Sequence, residues 1–383
     1  MLRTTLLLAL AFTAVFPSFV QGQVVQEYLT GLRSPGKTLV LPSGSLLVTE
    51  SGAVTTPNSG RISLVDRDGR RFTVIDGLPS GVHGSVAAGP SSVLLFERRL
   101  YVLMSSGDVS LPSPNGVERP NPSPSSPLFS CVLLLELPEG GADLPVGFAL
   151  RQSAHDGVAA GAGAYLTNAD GQVARLSRLL DFVDYVPAPR PDALDNVVIS
   201  NPFALVGNGT RFDVVDSARN LLWTFNIGDS TPRVLTTFPP AANTIPALGP
   251  PVVDAVPTSI HAAGDDLLVG FLTGFPFGPG AARVARVNRH TGETTTVLSG
   301  LQTVLDALPV SRGRGLFYVL EYSSNFLAGA PGRLLLVEDP SRAPLVIASG
   351  LMRPTSLSQD ARTGDLYVTE LGAGRIVRIA APQ

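Results

Sequence analysis

The chain has 383 residues and a formal net charge of −3; 44% of its residues are apolar and 15% charged. That balance argues against a nucleic-acid partner, which requires clustered positive charge, and so low a charged fraction argues against a helical protein with solvated outer faces. Gly (39) and Pro (33), spread between short apolar runs, point instead to many short strands joined by turns.

The chain opens with MLRTTLLLALAFTAVFPSFVQGQ, in which Arg3 precedes an apolar stretch from Leu6 to Val15 and small or polar residues around Gly22. This pattern predicts a secretory signal peptide over residues 1–22, and a single mature domain over 23–383. The apolar stretch is too short for a membrane span, and no later one is long enough. The expectation is therefore a secreted protein, periplasmic in a bacterium, and monomeric.

From residue 36 onward one pattern recurs. Short alternating runs pair up: SLLVTES with GRISLVD, RLYVLMS with CVLLLEL, RFDVVDS with NLLWTFN, DLLVGFL with ARVARVN, GLFYVLE with GRLLLVE, and LYVTE with RIVRI. A further run precedes each pair (GKTLVL, SSVLLFE, PFALV, PTSIHA, LDALPV, PTSLSQ), and several are followed by one ending in Gly-Leu, as in FTVIDGL. Four-stranded antiparallel units a–b–c–d at this period predict a six-bladed β-propeller. The last unit ends without a fourth strand, whereas QEYLTGL (26–32) carries the Gly-Leu ending of a d strand. The N-terminal run is thus expected to close the ring as the outer strand of the last blade, removing exposed edges. The stretch 151–200 reads as an insertion: AHDGVAAGAGAY as a loop, and GQVARLSRLLDFVDYV as an amphipathic helix with Val173, Leu176, Leu179, Leu180 and Val183 on one side.

In such a meander the b–c and d–a connections emerge on one face of the ring. The long segments 51–60, 105–127, 151–200, 239–256, 273–280 and 322–332 are all assigned there, opposite short a–b turns. Long loops on a rigid scaffold are where binding chemistry concentrates. Phe275, Phe277, Tyr322 and Phe326 are the expected apolar contacts for a protein or small-molecule ligand.

Three stretches, SNPFAL (200–205), AVPTSI (255–260) and LTGFPFGPGAARVARV (272–287), resemble the ScyD/ScyE family of exported propellers, itself similar to NHL-repeat, TolB-like and strictosidine-synthase-like propellers. The resemblance covers nearly the whole mature chain, with FPFGPGAARV its most specific part. It implies an exported six-bladed propeller and carries over no catalytic residues. The Pro/Ser-rich segment 111–127 departs from the family pattern.

Nucleophile elbows, HExxH sites, P-loops and CxxC pairs are absent. The four histidines show no metal-ligand spacing, and His290 belongs to a c–d turn. The single Cys131 lies in an apolar run and reads as a buried thiol. Lys37, the only lysine, reads as coding bias. An acid recurs at the end of strand b (Glu50, Asp216, Glu321, Glu370), with a structural role preferred because it repeats in several blades. The competing reading places Ca²⁺ at the channel on Glu50, Asn201, Asp254 and Asp306, as in a lactonase or esterase of the gluconolactonase–paraoxonase type. Asn208-Gly-Thr is a glycosylation sequon on an a–b turn.

Overall fold

The computed structural model describes residues 23–83, 86–107, 110–112, 117–121, 128–140, 143–189, 194–313 and 315–381. The leader expected over residues 1–22 lies outside them, as does much of the Pro/Ser-rich segment 111–127. Six mainly antiparallel sheets, one per repeat, stand in a ring with strand a innermost: a six-bladed β-propeller.

Strand a is Pro35–Val40, Pro90–Phe96, Pro202–Gly207, Pro257–Ala263, Val304–Pro309 and Pro354–Gln359 in blades 1 to 6. Five of these begin with proline, which is tolerated at the first position of a strand because its missing N–H costs no ladder bond there. Directly after the first residue every a–b pair shifts register. The bulged residues are Gly36 and Lys37, then Ser91, Phe203, Thr258, Leu305 and Thr355, a ring at the channel mouth. A bulge re-aims a side chain, and three of these hydroxyls stitch one blade to the next. Ser91 Oγ donates to the Pro202 carbonyl (3.1 Å), Thr258 Oγ1 to that of Val304 (2.8 Å), and Thr355 Oγ1 to that of Gly36 (3.1 Å). The residue after the bulge accepts in the same direction: Ser92 from Leu205 N–H, Ser259 from Ala307 N–H and Ser356 from Thr38 N–H. The core lies between neighbouring sheets, as where Tyr101, Phe212 and Phe225 stack between blades 2 and 3.

Closure follows the sequence expectation. Val25–Leu29 pairs antiparallel with Arg375–Ile379, the third strand of blade 6. Tyr28 packs edge-on against Tyr367 (5.1 Å), and its hydroxyl donates to the Asp66 carbonyl of blade 1 (2.6 Å).

The reading of blade 2 is corrected. GQVARLSRLLDFVDYV is a strand, not a helix: Val173–Asp181 is the outer strand of blade 2, paired with Cys131–Glu136. A bulge at Leu179 moves the apolar side chains from one sheet face to the other, so Ala174 and Leu176 pack toward blade 1 but Leu180 and Phe182 toward blade 3. The helix is instead Gln152–Ala159, overlapping the stretch 154–165 that reads as a loop. Residues 138–172 therefore connect c to d, so the insertion does not belong wholly to the long-loop face. Phe148–Ala149 adds in parallel to the outer strand of blade 1, and Ala164–Thr167 adds to that of blade 2, covering both outer edges. Only 182–201, with the ribbon Tyr185–Pro187/Val197–Ile199, is a d–a connection.

Candidate functional site

The b-strand acids are structural. Glu50, Asp216, Glu321 and Glu370 are fully buried. Each accepts a backbone N–H from the residue leading into strand a: Arg33 (2.7 Å), Asn201 (2.9 Å), Gln302 (2.8 Å) and Met352 (2.6 Å). Their other oxygen meets strand c, through Arg61, Trp223, Arg333 and Arg375 respectively. In blades 1, 3, 5 and 6 these latches anchor the residues that lead into the bulge. In blade 4 the acid is replaced by Phe271, and Arg283 stacks on its ring at 4.4 Å.

The mouth on the b–c/d–a face is a funnel of about 260 Å³ lined by residues of blades 6, 1, 2 and 3. Lys37 forms part of its wall, only 9% exposed, and also lines a smaller cavity of about 130 Å³ farther along the channel. Its Nζ donates to Asp306 Oδ2 (3.0 Å) and to the Leu305 carbonyl (3.1 Å), and lies 5.7 Å from the centre of the Phe203 ring. His261 Nε2 meets Asp306 Oδ1 at 2.7 Å, and Leu357 N–H donates to Oδ2 at 3.0 Å. This polar axis joins strands a of blades 1, 4, 5 and 6. Asp306 occupies the position of the stitching serines and takes the same N–H from the next blade. Burial acts to raise its pKa, but the Lys37 ammonium, His261 and the Leu357 N–H outweigh it and hold the carboxyl well below the usual carboxylate range.

The residues expected to hold Ca²⁺ are not brought together. Asp306 is engaged by Lys37, and Glu50 by Arg61 and Ser63. Asn201 lines the funnel, with its Oδ1 accepting from Ser106 and its Nδ2 donating to Ser217. Asp254 is exposed and accepts from Asn220. Among the described residues no three His, Cys, Asp or Glu side chains converge. Lys37 and His261, which sequence reasoning passed over, are the groups that complete the axis. The available signal was Asp306, an acid where PSS (90–92) and PTS (257–259, 354–356) place serine.

The four aromatics do converge. Phe277 packs edge-on to Phe275 (6.1 Å) and against Phe326 (4.4 Å), which in turn lies over Tyr322 (6.4 Å). They come from the b–c loops of blades 4 and 5, and Tyr322 and Phe326 line a cleft of about 500 Å³ that also reaches Met352 and Arg353 of blade 6. Phe275 remains 58% exposed and Phe326 37%. Backbone hydrogen bonds order the loops as well: Phe277 N–H donates to the Gly274 carbonyl (3.0 Å) and Ser324 N–H to that of Pro331 (2.9 Å). A larger cleft of about 620 Å³ lies on the other face, between the turns of blades 1 and 2 and under Leu144 and Val146 of the insertion. Cys131 is buried, its thiol pKa pushed up by burial, and Asn208 is exposed on its turn. No helix among the described residues is long and apolar enough to cross a membrane.

No protein-family model and no curated protein matches the chain. Among solved structures it is similar to a protein described as an oxidoreductase (glucose dehydrogenase) from Thermus thermophilus, at 18% identity over 94% of this chain and 100% of that one, with a TM-score of 0.47. It is also similar to a protein described as a 6-phosphogluconolactonase from Bacteroides uniformis, at 11% identity over 89% of this chain and 79% of that one, with a TM-score of 0.44. Similarity at this level bears on no residue or reaction of this chain.

Proposed function

We propose that this is an exported binding propeller that engages a protein or small-molecule ligand through its b–c/d–a face. The observation that carries this reading is the convergence of Phe275, Phe277, Tyr322 and Phe326 from two blades beside an open cleft. Exposed rings grouped in this way, with Leu327 and Met352 also exposed nearby, form the kind of apolar patch that marks interaction sites. The rings are presented by loops that backbone hydrogen bonds already order, so little conformational entropy is lost on binding. The ScyD/ScyE resemblance, which implies an exported propeller with no defined reaction, points the same way.

Nile red, a neutral apolar dye, tests the reading. Its fluorescence should rise on the native protein and fall severalfold in the Phe275→Ser/Phe326→Ser variant, with circular dichroism and melting temperature unchanged. Equal fluorescence on both proteins would overturn it.

A further inference from the structure

We infer that the funnel at the channel mouth binds a small apolar monocarboxylate, its carboxylate received by Lys37. This site is separate from the aromatic cleft and rests on different residues.

Three observations carry the inference. First, the ring of bulges has a repeated structural use, in which a hydroxyl of one blade stitches the next. Blades 1, 3 and 5 break that pattern with Lys37, Phe203 and Leu305, and of these Lys37 and Phe203 line the funnel. Second, Lys37 and Asp306 form a neutral but asymmetric pair. Asp306 is buried and absent from the funnel wall, so the funnel meets the positive end. An ammonium has three N–H groups, and among the described residues Lys37 gives two to protein acceptors, leaving one for a ligand. Third, most of the remaining polar wall, Ser34 excepted, is already engaged: Ser106 donates to Asn201 Oδ1, and Asn201 Nδ2 to Ser217. Ser51, Ser91, Ser105 and Thr355 spend their hydroxyl protons on the carbonyls of Pro90, Pro202, Gly89 and Gly36. Between them lie Ala87, Ala88, Leu371 and Phe203.

One cationic donor beneath apolar walls selects a single carboxylate on an apolar body. A phosphate or a sugar acid would bring more oxygens than Lys37 and Ser34 could pair, at the cost of desolvating the rest. The volume of about 260 Å³ is below that of drug-sized pockets, which suits a short-chain or single-ring acid.

The chain contains one lysine, so untagged full-length protein labelled with [ε-¹³C]lysine reports Lys37 as a single resonance. Titration with octanoate should shift that resonance to saturation. Octanamide, of the same shape but uncharged, should bind roughly ten- to a hundredfold more weakly, as loss of a charge-assisted hydrogen bond requires. Ala87→Leu, which fills the funnel without touching the ion pair, should weaken octanoate at least about tenfold if the ligand sits there. Phe275→Ser/Phe326→Ser should leave the titration unchanged, so this site and the aromatic cleft fail independently. The inference is overturned if octanoate leaves the resonance in place, if octanamide binds equally well, or if Ala87→Leu binds octanoate as wild type does.

Discussion

Replacing Lys37 by methionine keeps the volume of the side chain and removes its charge. Asp306 is then left fully buried, without the ammonium that offsets its desolvation. Breaking a buried pair by removing one partner costs about 3–5 kcal/mol. His261 at 2.7 Å and the Leu357 N–H at 3.0 Å remain as partners, which places the expected loss near the lower end. For a chain of this size the unfolding entropy is roughly 0.8 kcal/mol/K, so a loss of about 3 kcal/mol lowers the melting temperature by about 4 °C. The control is Lys37→Met/Asp306→Leu, which removes both charges and should recover at least half of the loss, because a buried pair replaced by apolar groups is often neutral. The pH dependence carries a definite sign. In the wild type the folded-state pKa of Asp306 is depressed, so the stabilisation is complete above the unfolded carboxylate value of about 4 and is withdrawn as pH falls below it. The gap between wild type and Lys37→Met should therefore narrow below about pH 4. Calorimetric scans at pH 7 and at acid pH measure both effects. A single variant that melts with the wild type, or one no less stable than the double variant, would refute the argument that the pair ties blades 1 and 5 across the channel.

Two further outcomes follow from the geometry. Deleting residues 23–32 removes the outer strand of blade 6 together with the Tyr28 contacts to Tyr367 and Asp66, and should lower the melting temperature by several degrees; a truncated protein as stable as the full chain would contradict the closure. Because Asp306 and Glu50 are already engaged by Lys37 and Arg61, millimolar Ca²⁺ or EDTA should shift the melting temperature by less than about 1 °C; a larger shift would revive the metal reading.

Much of the fold was legible in the chain because a propeller writes its unit repeatedly. The paired alternating runs, the Gly-Leu endings and the N-terminal QEYLTGL each have a direct structural counterpart in the blades and the ring closure. Blade 2 was not legible, for a local reason. The bulge at Leu179 switches the apolar face within a single strand, and the resulting spacing imitates a helix. The Gly- and Ala-rich stretch before it has little apolar periodicity, yet it contains most of the helix.

The site was legible where its residues lie on neighbouring loops and illegible where it spans the ring. Phe275 and Phe326 come from consecutive blades, and the sequence places both loops on the same face. Lys37 and Asp306 are 269 residues apart, and only closure brings their strands together. A lone lysine then looks like an accident of composition, and Asp306 like one more channel acid. Their meaning lies in the pattern they break, the ring of bulge hydroxyls and stitching serines.

The central claim is that binding takes place on the b–c/d–a face. It is tested most directly by crystals of the full-length protein soaked with octanoate and with a neutral aromatic fragment such as benzyl alcohol. Octanoate is expected in the funnel beside Lys37, and the aromatic fragment in the cleft between Phe326 and Met352. Occupancy confined to the opposite face, in the cleft between the turns of blades 1 and 2, would contradict it.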